Sequence, residues 1–173
     1  MMGRSWRISS CLAGALALAF SASAVSAQTV EYPKEPSVAE AEQLENEAEE
    51  HLTDINRWDK AAKRFRSAAL LRPQGDAKAI EDLMMAGKLS YYSGSVLRAL
   101  RDLGHAGERA LQEGHIPLAA RAFADAAWVA HTGGESDQVR RFAERAQLLI
   151  HSPAIDDQLR AELRVRLTTG TEG

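Results

Sequence analysis

The sequence predicts an all-α protein, a short solenoid of stacked helix pairs. A spacing of small and bulky residues, Ala61, Phe65 and Ala68 closed by Pro73, returns at Ala99, Leu103 and Ala106 and again at Val139, Ala143 and Ala146. Recurrence of this kind means that one helical unit is repeated and stacked on its neighbour. Turn signals rich in glycine, proline and serine punctuate the chain between the apolar stripes. Alternation at period two never persists over four residues with β-branched or aromatic content, so no strand is expected.

The first 27 residues read as an export signal. Arg4 and Arg7 form a basic start, an apolar run follows from Cys11 to Phe20, and Val25-Ser26-Ala27 is the small-residue pattern that a signal peptidase cleaves. The run is shorter than the roughly 20 residues of a membrane-spanning helix. Cys11, the only cysteine, begins the apolar run, whereas a lipidated cysteine follows it. The processed chain therefore has no thiol for a disulfide, a nucleophile or a thiolate metal site. The expected location is periplasmic or secreted, with no transmembrane segment once the signal is removed.

Residues 28–36 read as a linker, since Pro33 and Pro36 disfavour helix. The helical domain is expected over residues 37–167. Ser37 with Glu40 three residues later is a capping-box arrangement, and Val38, Ala41, Leu44, Ala48 and Leu52 share one stripe of the first helix. Asn56 to Asp59 is the expected turn, with Asp59 capping a second helix that runs through Leu71. Pro73-Gln74-Gly75-Asp76 ends it and caps a third helix from Ala77 to Tyr92. Ser93-Gly94-Ser95 precedes a fourth, Val96 to Gln112. Glu113-Gly114-His115 and a first-turn Pro117 open the fifth, alanine-rich helix, expected through Ala130. A sixth is expected from Asp137 to Ile150. A last helix, Ile155 to Leu167, carries Ile155, Leu159 and Leu163 on one edge, which suits a terminal cap with a solvated outer face. Thr168 to Gly173 is expected to be disordered.

These spacings resemble the tetratricopeptide repeat family, whose unit is a helix–turn–helix of about 34 residues. Besides the three frames above, Leu83, Ala86, Gly87 and Gly94 match the first helix and turn of a second repeat, and Phe123, Ala126, Ala127 and Gly134 those of a third. The frames begin at residues 61, 99 and 139, so they are longer than the family's unit. Glu49 stands where the family has a small residue, and Ser90 where it has a bulky tyrosine. The resemblance covers roughly residues 37–152. It implies a right-handed solenoid of three hairpins and a concave surface lined by the first helix of each. Carried over position by position, the groove residues are Asn46 and Glu50, then Met84, Lys88 and Tyr91, then Arg121, Trp128 and His131. Lys88 and Arg121 suit a peptide carboxylate or another anion. Met84, Tyr91 and Trp128 suit its apolar contacts.

Charge is unevenly distributed. Without Arg4 and Arg7 the 21 basic residues become 19 against 24 acidic ones, a net of −5. Nine acidic residues and only Lys34 of opposite sign lie between Glu31 and Asp54. No basic stripe is long enough to argue for nucleic acid. Asp102 and His105 have the spacing of a carboxylate–histidine ligand pair, but no second such pair accompanies them, and His51, His115, His131 and His151 are scattered. No nucleophile elbow or phosphate-binding loop is present in the sequence. The expectation is therefore an exported, non-enzymatic interaction module without cofactor or metal, an adaptor or assembly factor that holds a protein or peptide of the cell envelope. Two alternatives stay open: a small helical bundle binding a metal or ligand through histidines, and a structural subunit that forms a homo-oligomer.

Overall fold

In a computed structural model, which describes residues 35–169, seven α-helices follow one another with no strand among the described residues. They are α1 (Val38–Glu49), α2 (Trp58–Leu71), α3 (Ala77–Tyr92), α4 (Val96–Gln112), α5 (Ile116–Thr132), α6 (Ser136–Ile150) and α7 (Asp157–Thr169). A single 3-10 turn, Ile55–Arg57, precedes α2. The expected signal over 1–27, the linker up to residue 34 and the tail from residue 170 lie outside the described residues. No helix among the described residues is long and apolar enough to cross a membrane.

The helices pack sequentially. Each of α1 to α6 lies against the next, and the odd-numbered helices also touch one another, α3 on α5 and α5 on α7. This is a solenoid-like order, and its local causes are visible in the turns. Gly94, Gly114 and Gly134 have φ of +84°, +79° and +76°. Behind Gly94 the Ser95 N–H donates to Ser90 O at 2.8 Å, a long reach back that closes a helix when the intervening residue is left-handed. The same bond recurs from His115 to Ala110 and from Glu135 to Ala130, both at 2.8 Å. A stop repeated every 20 residues cuts this part of the chain into helices of similar length, 16 residues in α3, 17 in α4 and α5 and 15 in α6.

Close stacking needs small side chains, and α5 supplies them: Ala119, Ala120, Ala122, Ala124, Ala126, Ala127 and Ala130 are all buried. Gly87 and Gly107 serve the same end. A Cβ at Gly87 would stand 2.6 Å from Leu103 Cγ, and one at Gly107 2.5 Å from Phe123 Cε1. The Phe123 ring thus lies directly on the backbone of α4 and stacks on Phe142 of α6, with centroids 6.3 Å apart.

Polar bonds fasten successive pairs. Arg109 of α4 donates to the carbonyls of Ala69 at 2.8 Å and Pro73 at 3.0 Å, which satisfies the carbonyl end of α2. Arg160 of α7 treats the end of α6 alike, donating to Ile150 O at 3.0 Å and Ile155 O at 2.8 Å. Ser90 is explained by a neighbour: the Arg66 guanidinium of α2 reaches in beside it, 3.4 Å from Ser90 Oγ, and binds Asp102. A large side chain at position 90 would compete with that guanidinium for space.

Several element expectations need correction: α1 ends at Glu49, so Leu52 lies in the turn beyond it, and α5 runs through Thr132, past the expected end at Ala130. Asp59 does not cap α2: it lies in the first turn and pairs with Arg98, the N-cap position is held by Arg57 without a capping side chain, and Asp54 instead caps the 3-10 turn, accepting from Asn56 N–H at 3.0 Å. The last helix begins at Asp157 and runs through Thr169, two residues into the expected tail, because Leu163 and Leu167 stay buried.

Candidate functional site

A cleft of about 1200 Å³ opens on the surface. It runs across the odd-numbered helices, each presenting one face at helical spacing. From α3 come Glu81, Asp82, Met85 and Lys88; from α5 Leu118, Arg121, Asp125 and Trp128; from α7 Leu159, Glu162, Val165 and Arg166. Glu49, Leu52 and Phe65 close the end nearest α1. Intervals of three and four residues keep each set on one side of its helix.

Four of the eight residues singled out from the sequence line this cleft: Met84, Lys88, Arg121 and Trp128. Met84 is 7% exposed and belongs mainly to the core, whereas its neighbour Met85 is 39% exposed and offers its thioether to the cleft. Tyr91 is half-buried behind the wall. It packs edge-on against Trp128 at 5.1 Å and Tyr92 at 5.4 Å and so orients the indole. Asn46 and Glu50 are exposed but do not line the cleft, because α1 contributes only its end. His131 lies in a separate depression with Val139 and Arg140, where α5 meets α6.

Met85, Asp125 and the α7 residues did not stand out in the sequence. The signal for α7 was there: a short turn joins it to α6 as α3 follows α2, which makes it the next odd-numbered helix. Its inner face therefore forms a wall of the cleft and is not simply the solvated side of a cap.

Charge in the cleft is polarised. At the α5–α7 side Asp125, 5% exposed, is shared by two cations: Lys88 Nζ at 3.5 Å and Arg166, which donates a hydrogen bond to it. Arg121 is exposed and has no ion-pair partner among the described residues. Partial burial, then the nearby charges of Arg166 and Arg121, hold the Lys88 ammonium below the ordinary lysine range.

Toward α1 the balance is acidic. Asp82, 1% exposed, meets Arg72 Nε at 3.2 Å and Lys78 Nζ at 3.5 Å, and its Oδ1 has no hydrogen-bond donor. Arg72 also binds Glu45 and, at 2.9 Å, Asp76. Burial first and the Glu45 charge second raise the Asp82 carboxyl to about 7, against the pull of Lys78 and Arg72. Glu49 and Glu81 add exposed negative charge at the same end.

The histidines are not drawn together. Asp102 is bound by Arg66 and buried, while His105 is exposed on another side of α4. No group of three histidine, cysteine or carboxylate side chains suited to a metal ion occurs among the described residues. Comparison with known family models, with curated proteins and with solved structures finds no match to this chain.

Proposed function

We propose that the chain is an exported interaction module that holds a peptide segment or a helix of another protein in the cleft across α3, α5 and α7. The observation that carries this reading is the half-exposed apolar strip of Met85 and Trp128 set between cationic side chains. An exposed thioether and an oriented indole supply adaptable and rigid apolar contact respectively, the usual makings of a binding hot spot. The helices that carry them are fixed by alanine and glycine packing, so the surface is organised before a partner arrives.

Within this reading the repeated units are tetratricopeptide-like hairpins, α1–α2, α3–α4 and α5–α6, and α7 closes the array. Action is by binding, and export rests on the pattern of residues 1–27. Affinity capture from an envelope extract with the full chain tests it, repeated with Lys88→Glu, Trp128→Ala and Met85→Asp. Partners should be lost with each variant. Retention of the same partners by all three would place binding outside the cleft.

A further inference from the structure

We infer that the solvent-facing side of α2, α4 and α6 is a docking surface for an anionic phospholipid bilayer. Lys63, Arg101 and Arg141 would meet the headgroup phosphates, and Leu70, Leu97 and Leu148 would enter the acyl boundary. None of these six residues lines the cleft, so the inference stands apart from the occupant proposed there.

Charge divides between the two sets of helices. The even-numbered helices α2, α4 and α6 hold ten basic and five acidic residues, the odd-numbered ones six and ten. Part of that basic excess is spent inside the fold. Arg98 pairs with Asp59, Arg66 with Asp102 and Arg145 with Glu108, and each pair joins neighbouring even-numbered helices side by side. Arg64 pairs with Glu47 and Arg109 with Glu113. Lys60, Lys63, Arg101, Arg140 and Arg141 are exposed and have no ion-pair partner among the described residues, against only Asp137 and Glu144 of opposite sign on the same helices.

Three of these free cations share one register. Lys63, Arg101 and Arg141 each stand two residues after the start of a repeated frame, at 61, 99 and 139. Each also has a leucine on its own stripe: Leu70 seven residues after Lys63, Leu148 seven after Arg141, and Leu97 four before Arg101. The leucines are 75%, 77% and 66% exposed. Leu97, Arg101 and Arg141 line one depression of about 320 Å³ between α4 and α6, which places them on a common side. Its two acids are Glu108, held by Arg145, and Glu135, set against both guanidinium groups and His105.

The pairing of cation and leucine on every outer helix favours lipid over other polyanions. An acidic protein would need a separate pocket for each leucine, because the three stand singly and form no central apolar cluster. Nucleic acid would use the cations and leave the leucines in water. A bilayer interface takes each leucine where it stands, while the cation further along the same stripe remains at the phosphates.

Sedimentation of the full-length protein with phosphatidylcholine vesicles, with and without phosphatidylglycerol, tests this. Residues 1–27 are the same in every variant, so a difference between variants reports the helical face. Phosphatidylglycerol should strengthen binding, and NaCl should weaken that added part. The added part should fall at least about tenfold when Lys63→Glu, Arg101→Glu and Arg141→Glu are combined, and less when all three become Gln. Leu70→Ser, Leu97→Ser and Leu148→Ser together should lower it at unchanged charge. All six sites are exposed, so thermal melts should match the parent, and the Gln triple serves if charge reversal shifts the melt.

No effect of phosphatidylglycerol, or an effect unmoved by both charge triples, would overturn the inference. Loss with the charge triples but not with the leucine triple would also overturn it, in favour of an acidic protein surface that soluble polyglutamate would then displace.

Discussion

Arg66 of α2 and Asp102 of α4 form a two-pronged pair, with Nε 2.8 Å from Oδ1 and the terminal nitrogen on Oδ2. The pair crosses α3, where Ser90 Oγ lies 3.4 Å from both the guanidinium and the carboxylate. The two partners differ in access to water: the Asp102 side chain is 2% exposed and that of Arg66 29%. Arg66→Ala strands a buried carboxylate and should cost about 3 kcal/mol or more. Asp102→Ala leaves a guanidinium that can turn to solvent and should cost less. Urea unfolding of the two variants checks the order, and an equal or reversed order would show that the pair is not the fastening.

Gly107 and Gly104 lie one turn apart on α4 and should respond oppositely to a methyl group. A Cβ at Gly107 meets the Phe123 ring at 2.5 Å, whereas one at Gly104 meets Phe142 at 3.4 Å. Gly107→Ala should destabilise by about 1–3 kcal/mol through overpacking. Gly104→Ala should be neutral or stabilise by up to about 1 kcal/mol, since alanine is the better helix former. Thermal melts of the two single variants decide it.

Asp82 predicts a pH dependence. An aspartate in the unfolded chain titrates near 3.9, and in the fold Asp82 titrates at about 7. Between about pH 4 and about pH 7 the folded state therefore holds the extra proton, and stability from this group falls as pH rises through that window. Asp76 is opposed by its burial but held below the usual range by Arg72 and the Lys78 N–H, so it acts at lower pH and does not mask the trend. Melting temperatures of the parent should drop from pH 5 to pH 8 relative to Asp82→Asn. Parallel curves for the two proteins would mean that Asp82 is ionised throughout.

Arg109 should hold the end of α2 in place. Its guanidinium serves the carbonyls of Ala69 and Pro73 and also pairs with Glu113 at 2.8 Å. Arg109→Met keeps much of the stem and removes these bonds, at a cost of about 1.5–3 kcal/mol. Amide exchange in the last turn of α2 should accelerate more than that in α5. Uniform acceleration would instead indicate a general loss of stability.

What the sequence by itself determined is the series of elements. The limits of α3 and α4 coincide with those read from Asp76, Tyr92, Ser93-Gly94-Ser95 and Gln112, because capping side chains and left-handed glycines act within a few residues of themselves. Burial of Ala61, Phe65, Ala68, Ala99, Leu103, Ala106, Ala143 and Ala146 likewise follows from helical period alone. Half of the groove residues singled out from the sequence, Met84, Lys88, Arg121 and Trp128, line the candidate cleft, since position on a helix face survives stacking.

Tertiary structure decided the rest. Arg66 at Asp102 and Arg166 at Asp125 join residues about forty positions apart, and no local pattern encodes such a meeting. Met85 and Met84 are adjacent and alike in sequence and both line the cleft, but only tertiary packing leaves one exposed there and the other mostly buried in the core. Asn46 and His131 had the right spacing on their helices, but the cleft draws on α1 only at its end, and α6 gives His131 a different surface. Capping and periodicity are short-range and readable along the chain. Which faces become a shared cleft, and which charges share one carboxylate, depends on how the rods are laid side by side.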